Sequence, residues 1–281
     1  MPVKIIYCEG VSNGIDGEIL GKILQNICLV KPVGTKRILP QRTLGARDMK
    51  PDSSAAAIKD RDFDDDDLTI TNCPRNWEVT ESFKKVQIGW YWERKKIENY
   101  LIDPIVVNRA LGNEAPPNNE YQKSLKAAAK KIADYTAARI ALSRFRVRVL
   151  PLDNSWGQER EKGYYFPKDK GLKVENCRSQ INKMVGDYQR NLREPETGVL
   201  EIFDNLLDDC RQGERFQNFL IFFSGKDLLW GMQKDLRSFG FKSPVVFREK
   251  IKQSIEESNE DIWEWLPEWQ RLRELLSSST F

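Results

Sequence analysis

The apolar positions along this chain change their period once, and the change divides it into two parts. Up to about residue 112, short β-prone runs alternate with an amphipathic stretch. Lys4–Cys8 is the first such run, and Ile15, Ile19, Leu20, Ile23, Leu24 and Ile27 follow at the spacing of a helix with one buried face. Asp16 or Asn13 would cap that helix. Leu29–Gly34 and Ala55–Lys59 read as the next two strands, and Trp77–Val79 with Lys85–Trp92 as a hairpin or further strands. This order predicts an α/β fold, Rossmann-like, with a mostly parallel sheet flanked by helices.

Asn113-Glu-Ala-Pro-Pro-Asn-Asn119 is the clearest linker, so the expected division is a core over 1–112 and a largely helical region over 113–281. Tyr121–Ser143, Lys173–Leu192, Gly198–Cys210, Pro244–Ser258 and Glu260–Leu276 carry helical patterns, with Asp153–Lys170 an irregular loop between them. The apolar run Phe216–Phe223 predicts one strand returning to the core sheet over about 216–226, followed by a helix to about Phe239. Pro104 reads as a stop after the charged stretch that follows Trp92.

Composition narrows the chemistry. The 281 residues contain no histidine, which removes the usual general base and every Ser-His or Cys-His arrangement. Five scattered cysteines without a Cys-x-x-Cys pair predict neither a zinc site nor a disulfide framework. No signal peptide or membrane-spanning run is read from the sequence, so the expectation is a soluble, cytoplasmic protein with no membrane partner. Net charge is only +3, but Tyr121–Arg148 sets Lys123, Lys126, Lys130, Lys131, Arg139, Arg144, Arg146 and Arg148 against Asp134 alone. That segment reads either as a nucleic-acid contact, with Lys126, Lys130, Lys131 and Arg139 as the contacting cations, or as a solvated helix face.

The acids are more specific. Ile58-Lys-Asp60-Arg-Asp62-Phe-Asp64-Asp-Asp-Asp67 follows one expected strand, and Glu9-Gly10 follows another. Ligands of α/β sheets bind beyond the carboxyl ends of the strands, where Glu9 and Asp60 would lie. Alternate residues of an extended chain project to one side, so Asp60, Asp62 and Asp64 could converge on a cation; the other reading is a solvated acidic turn. Mg²⁺, or Mn²⁺ in its place, is the expected ion, because hard cations take carboxylate oxygens. An EF-hand is excluded: counted from Asp60, its glycine position holds Asp65 and its final glutamate position holds Thr71.

Lys226, in Ser224-Gly-Lys226, would emerge near a helix start and could meet a phosphate; Leu220 and Asp227 exclude a P-loop there. Glu98 reads as a further metal carboxylate or as the partner of Arg94. Trp263, Trp265 and Trp269 read as core or interface packing.

Glu9-Gly10 after a strand and Asp60-x-Asp62-x-Asp64 after another resemble the TOPRIM domain of topoisomerases, primases and OLD-type nucleases, over roughly residues 1–105. Tyr7-Cys-Glu-Gly10, Asp60-Arg-Asp62, Arg94-Lys-Lys-Ile-Glu-Asn-Tyr-Leu101 and Ser224-Gly-Lys-Asp-Leu-Leu229 look like a bacterial TOPRIM-like family found beside or fused to an ABC-type ATPase. One branch is the effector nuclease of PARIS anti-phage systems. The resemblance implies a Mg²⁺-dependent nuclease, held by its ATPase partner, that dimerises on release and cuts tRNA. It implies Glu9, Asp60 and Asp62 as metal-binding catalytic acids, Asp64 as a third acid seen in some members, and Lys226 as the lysine beside the metals. Asn13 departs from the pattern, since many relatives carry a second acid four residues after the glutamate. A non-catalytic scaffold or sensor bound to an ATPase and an OLD-like DNA nuclease are the alternatives.

Overall fold

The structure, a computed structural model, describes residues 2–49, 54–81, 83–148, 173–189 and 197–278. The loop expected at Asp153–Lys170 lies outside the described residues.

Strand β1 (Ile5–Cys8) leads through a turn into helix α1 (Ile15–Ile23), whose buried residues Ile19, Leu20 and Ile23 are those the spacing predicted. Its cap differs. Gly14 occupies the N-cap position with no side-chain hydrogen bond, so neither Asn13 nor Asp16 caps the helix. Strand β2 (Leu29–Pro32) follows, then α2 (Leu39–Met49) and β3 (Ala55–Lys59). Helix α2 gave no periodic signal because it buries only Leu39 and Thr43. Strands β4 (Arg75–Glu81) and β5 (Lys84–Tyr91) form the expected hairpin.

The five strands lie in the order β2-β1-β3-β5-β4, and only the β4–β5 pair is antiparallel. Ala55, Ala56, Ala57 and Ile58 of β3 are buried, as a parallel strand covered on both faces requires. Gly89 on β5 meets β3 so closely that a Cβ there would lie 1.8 Å from the Ala57 carbonyl oxygen.

Helix α3 (Ile97–Leu101) precedes α4 (Pro104–Leu111). Pro104 starts that helix instead of stopping one: Asp103 Oδ1 accepts the Ile105 N–H at 2.8 Å, and proline fits the first turn because its missing N–H would have no partner there.

The second half is built around α5 (Asn118–Arg148), 31 residues long. Small residues at Ala129, Ala133, Ala137 and Ala141 bury its far half against α6 (Val174–Gln189), α7 (Thr197–Arg211) and the later helices. Next come α8 (Glu214–Gln217), α9 (Phe219–Phe222), α10 (Gly225–Gly231) and α11 (Gln233–Ser238). The strand expected at 216–226 is therefore absent: the run is two short helices and the start of a third. A brief buried apolar run has the same pattern in either conformation, and here it packs in the helical layer and joins no sheet.

Helix α12 (Pro244–Glu257) packs on α1, α3 and α4, and α13 (Pro267–Ser278) brings the chain back to its beginning. The Val3 N–H donates to the Leu276 carbonyl at 3.0 Å, and Arg273 donates to the Ile23 carbonyl at 2.7 Å. Trp265 and Trp269 are core residues, the latter 6.0 Å from Tyr100 between ring centres. One apolar core runs through both halves, across the boundary expected at 112. Among the described residues no helix is long and apolar enough to cross a membrane.

Candidate metal centre

The order β2-β1-β3 means that the chain leaves β1 toward one edge of the sheet and later returns past it to β3. Such a reversal opens a crevice at the carboxyl ends of the two central strands. Cys8 pairs with Ile58 in the parallel register, so the strands end side by side and release Glu9 and Asp60 at the same place. The Asp60 backbone N–H donates to Oε1 of Glu9 at 3.4 Å.

Gly10 makes the turn possible. Its φ of +99° lies where a side chain would be strained, and its backbone exchanges two hydrogen bonds of 2.8 Å with Gly34. The turn also lets α1 place an acid that sequence reasoning assigned only to capping. A Cβ on Gly10 would lie 3.7 Å from Oδ2 of Asp16, so the Asp16 carboxylate folds back over the end of β1. Glu9, Asp16 and Asp60 line one small cavity with Cys8, Lys59, Trp92 and Ile97; at about 10 Å³ it has room for a single water-sized occupant.

The cavity is short of positive charge. Burial, and then the negative charges of Asp60 and Asp62, push the Glu9 carboxyl up to about 7. Burial, Asp60 and Glu98 raise Asp16 to about 7 as well. Asp60 is raised by burial against the pull of Lys96, whose Nζ lies 3.0 Å from Oδ2. Asp62 goes the other way: burial opposes its charge, but Lys36, Lys96 and Lys59 hold it below the usual carboxylate range. Its ion pair is with Lys36. Cys8 sits beneath, its thiol pushed up to about 12 by burial and the surrounding acids, which leaves it protonated.

Alternation along the acidic run holds for two acids and then fails. Arg61 points inward and is fully buried, donating to the Glu93 carbonyl at 2.9 Å and the Asp65 carbonyl at 3.1 Å. After Asp62 the chain turns into a 3₁₀ helix over Phe63–Asp65, which carries Asp64 out of the extended line. Asp64 is thus not aligned with Asp60 and Asp62 as the extended pattern required.

The end of the run is structural. The Asp66 side chain is fully buried and takes Arg215 at 2.7 Å, Arg144 at 2.9 Å and Lys95 at 3.7 Å. Burial opposes its charge, but Lys95 and the two arginines keep its carboxyl below the usual range. Asp67 accepts from the Thr69 N–H and from Arg75, each at 2.7 Å, and Asp65 pairs with Lys59 at 2.7 Å.

Compared with models of protein families and with curated proteins, the sequence matches none. The site therefore has to be read from its own residues. Among the described residues no three Asp, Glu, Cys or His side chains converge as a ready-made ligand set for an ion. Glu9, Asp16 and Asp60 nevertheless have the chemistry that Mg²⁺ takes: hard carboxylate oxygens around a water-sized space, with Glu9 and Asp16 pushed up to about 7 by burial and by the neighbouring acids.

Glu98 and Lys226 form a neighbouring pair, 3.4 Å apart, with Arg248 3.8 Å from the same carboxylate oxygen. Glu98 is buried within α3 and pairs with these two cations and not with Arg94, which binds Asp103 at 2.7 Å. Lys226 does lie at a helix start, the second residue of α10, although no strand precedes it.

The basic segment separates into two halves. Lys126, Lys130 and Lys131 are exposed on the first part of α5. Arg139 is not a surface cation: it pairs with buried Asp227 at 2.8 Å and stacks 4.4 Å from the Phe63 ring centre. Arg144 is committed to Asp66. The side chains at 146 and 148 lie outside the described residues.

Sequence reasoning missed Asp16, Lys36 and Lys96 as site residues. Asp16 had one visible signal, an acid in the first turn of the helix after Glu-Gly. Lys96 lay within the Arg94–Leu101 motif without an assigned role and Lys36 had no signal, because only the fold brings their turns to Asp60 and Asp62.

Proposed function

We propose that the chain is a TOPRIM-like, Mg²⁺-dependent nuclease that hydrolyses phosphodiester bonds, with RNA, and tRNA in particular, as substrate. The observation that carries this reading is the crowding of Glu9, Asp16 and Asp60 at the β1–β3 ends, where burial and mutual repulsion keep Glu9 and Asp16 protonated near neutral pH. Glu9 and Asp60 would hold the ion, with Asp16 supplying the acid that is missing at Asn13 and Asp62, whose charge acts on Glu9, as a further ligand. Bound there, the ion would lower the pKa of a water and stabilise charge on the phosphate oxygens.

The chain's own groups do the rest. In a protein without histidine a carboxylate has to take the proton, and whichever of Glu9 and Asp16 is not holding the ion is placed to do so. Lys226, about 39% exposed, carries a positive charge at the helix start where phosphate charge develops. Lys126, Lys130 and Lys131 present a positive face for a nucleic-acid backbone. The resemblance adds the biological setting: a phage-defence effector, cytoplasmic, restrained by an ABC-type ATPase and active as a homodimer.

One observation favours the second reading, a non-catalytic scaffold that binds an ATPase: Asp60 and Asp62 already have lysine partners. Incubating the purified chain with tRNA separates the two. The nuclease reading expects cleavage with Mg²⁺ or Mn²⁺, none with EDTA, and none for Asp60→Asn; a scaffold cuts under no condition. Supercoiled DNA as a parallel substrate distinguishes the OLD-like alternative.

A further inference from the structure

We propose that Lys36 is a built-in counter-ion that a divalent metal displaces from Asp62, and that the freed ammonium then serves the substrate phosphate; the inference rests on the metal-site reading above. Asp60 and Asp62 each hold one lysine, but the two lysines are anchored differently.

Lys96 is fixed by its main chain. Its N–H donates to Asn99 Oδ1 at 3.1 Å, and Oδ1 also accepts the Gly225 N–H at 2.8 Å. The Asn99 amide nitrogen donates to the carbonyls of Leu220 and Phe223 at 2.9 and 2.8 Å. Three helices thereby clamp the backbone of the segment that carries Lys96, whose Nζ lies 3.0 Å from Asp60 Oδ2.

Lys36 has no such frame. It lies in the turn at 35–38, immediately after Gly34, whose backbone pairs with Gly10 next to Glu9. Its side chain is 37% exposed, and among the described residues its ammonium has no polar partner except Asp62. A divalent ion offers the same carboxylate twice the charge and requires its lone pairs. When the ion takes Asp62, the lysine is released but stays on the turn beside it, where an ammonium suits a phosphate oxygen as a point charge. Metal and nucleic acid should then favour one another's binding, since each removes an obstacle to the other.

Calorimetry of Mn²⁺ binding to the full chain tests the first half. Lys36→Gln should bind Mn²⁺ about two- to fivefold more tightly than wild type, the scale of a partly exposed ion pair, whereas Lys36→Arg should remain near wild type because it keeps the charge. Fluorescence anisotropy of labelled tRNA, in EDTA and then in Ca²⁺, tests the second: wild type gains affinity on Ca²⁺ addition, and Lys36→Gln gains less. If Lys36→Gln binds Mn²⁺ no more tightly, or gains as much tRNA affinity as wild type does, the proposal is overturned and the metal reading stands. A wild-type chain that binds no Mn²⁺ overturns the metal reading and this proposal together.

Discussion

The backbone N–H of Asp60 reaches Oε1 of Glu9 at 3.4 Å, so two residues fifty-one positions apart in sequence meet at the end of neighbouring parallel strands. Everything proposed for this protein depends on that meeting, because neither residue is distinctive alone. The contact also brings two buried carboxylates together with Asp16 in a cavity without a compensating cation for each, and the consequences can be measured.

The first consequence is a pH dependence of stability. Glu9 and Asp16 have folded pKa values of about 7, raised from ordinary carboxyl values of 4.5 and 3.8. A raised acid favours the folded state below its unfolded pKa and loses that contribution as pH rises through its folded value. Metal-free protein should therefore lose stability between about pH 4 and pH 7, by up to about 3–4 kcal/mol per group. Denaturant unfolding at pH 5 and pH 7.5 measures it. Glu9→Gln or Asp16→Asn should flatten the slope, and saturating Mg²⁺ should restore stability at pH 7.5. Glu268, also pushed up to about 7 by burial, contributes a slope that Mg²⁺ leaves unchanged.

Asp66 gives a prediction of opposite character. Its removal takes away the carboxylate shared by Arg215, Arg144 and Lys95 and leaves Arg215 only Asp209, a change that should cost about 3–5 kcal/mol. Asp66→Ala should therefore show a large fall in the urea midpoint, compared with a small one for Asp62→Ala, whose ion pair is partly exposed. Equal falls would mean that the two ends of the acidic run are alike.

On α5 the two halves should also part. Lys126→Glu with Lys130→Glu should weaken tRNA binding and flatten its dependence on salt, by roughly 0.7–0.9 in log–log slope for each phosphate left without its lysine. Arg139→Gln should instead lower stability, since it strands buried Asp227. Binding measured by anisotropy across a salt series, beside thermal melts, checks both.

Lys226→Ala should reduce the rate of cleavage by about tenfold or more while leaving the melting temperature nearly unchanged. Its ammonium is 39% exposed, and Glu98 keeps Arg248 as a neighbour. A single-turnover cleavage assay beside a thermal melt measures the two effects.

Much of this fold was legible in the sequence. The strands over 5–8, 29–32 and 55–59 and the buried face of α1 follow from short-range apolar periodicity, and Glu9 and Asp60 were placed at strand ends on that basis. The failures have physical causes. Phe219–Phe222 is apolar throughout, so it carries no period, and tertiary packing decides that it is helical. Pro104 ends a pattern and begins a helix because Asp103 precedes it as a cap. The acidic run was read as one object, yet Asp60 lines the cavity and Asp62 pairs with Lys36, whereas Asp66, beyond the 3₁₀ turn at Phe63–Asp65, is a hub for Arg215, Arg144 and Lys95. Arg139 looked like a surface cation because sequence shows charge and not burial. Lys36 and Lys96 reach the site only through contacts between distant segments.

The most direct test of the central claim is anomalous scattering from crystals soaked in Mn²⁺. Metal binding at the β1–β3 ends predicts a difference peak bounded by the carboxylates of Glu9 and Asp60, and its loss in Asp60→Asn. A peak elsewhere, or none in wild-type crystals at saturating Mn²⁺, would contradict it.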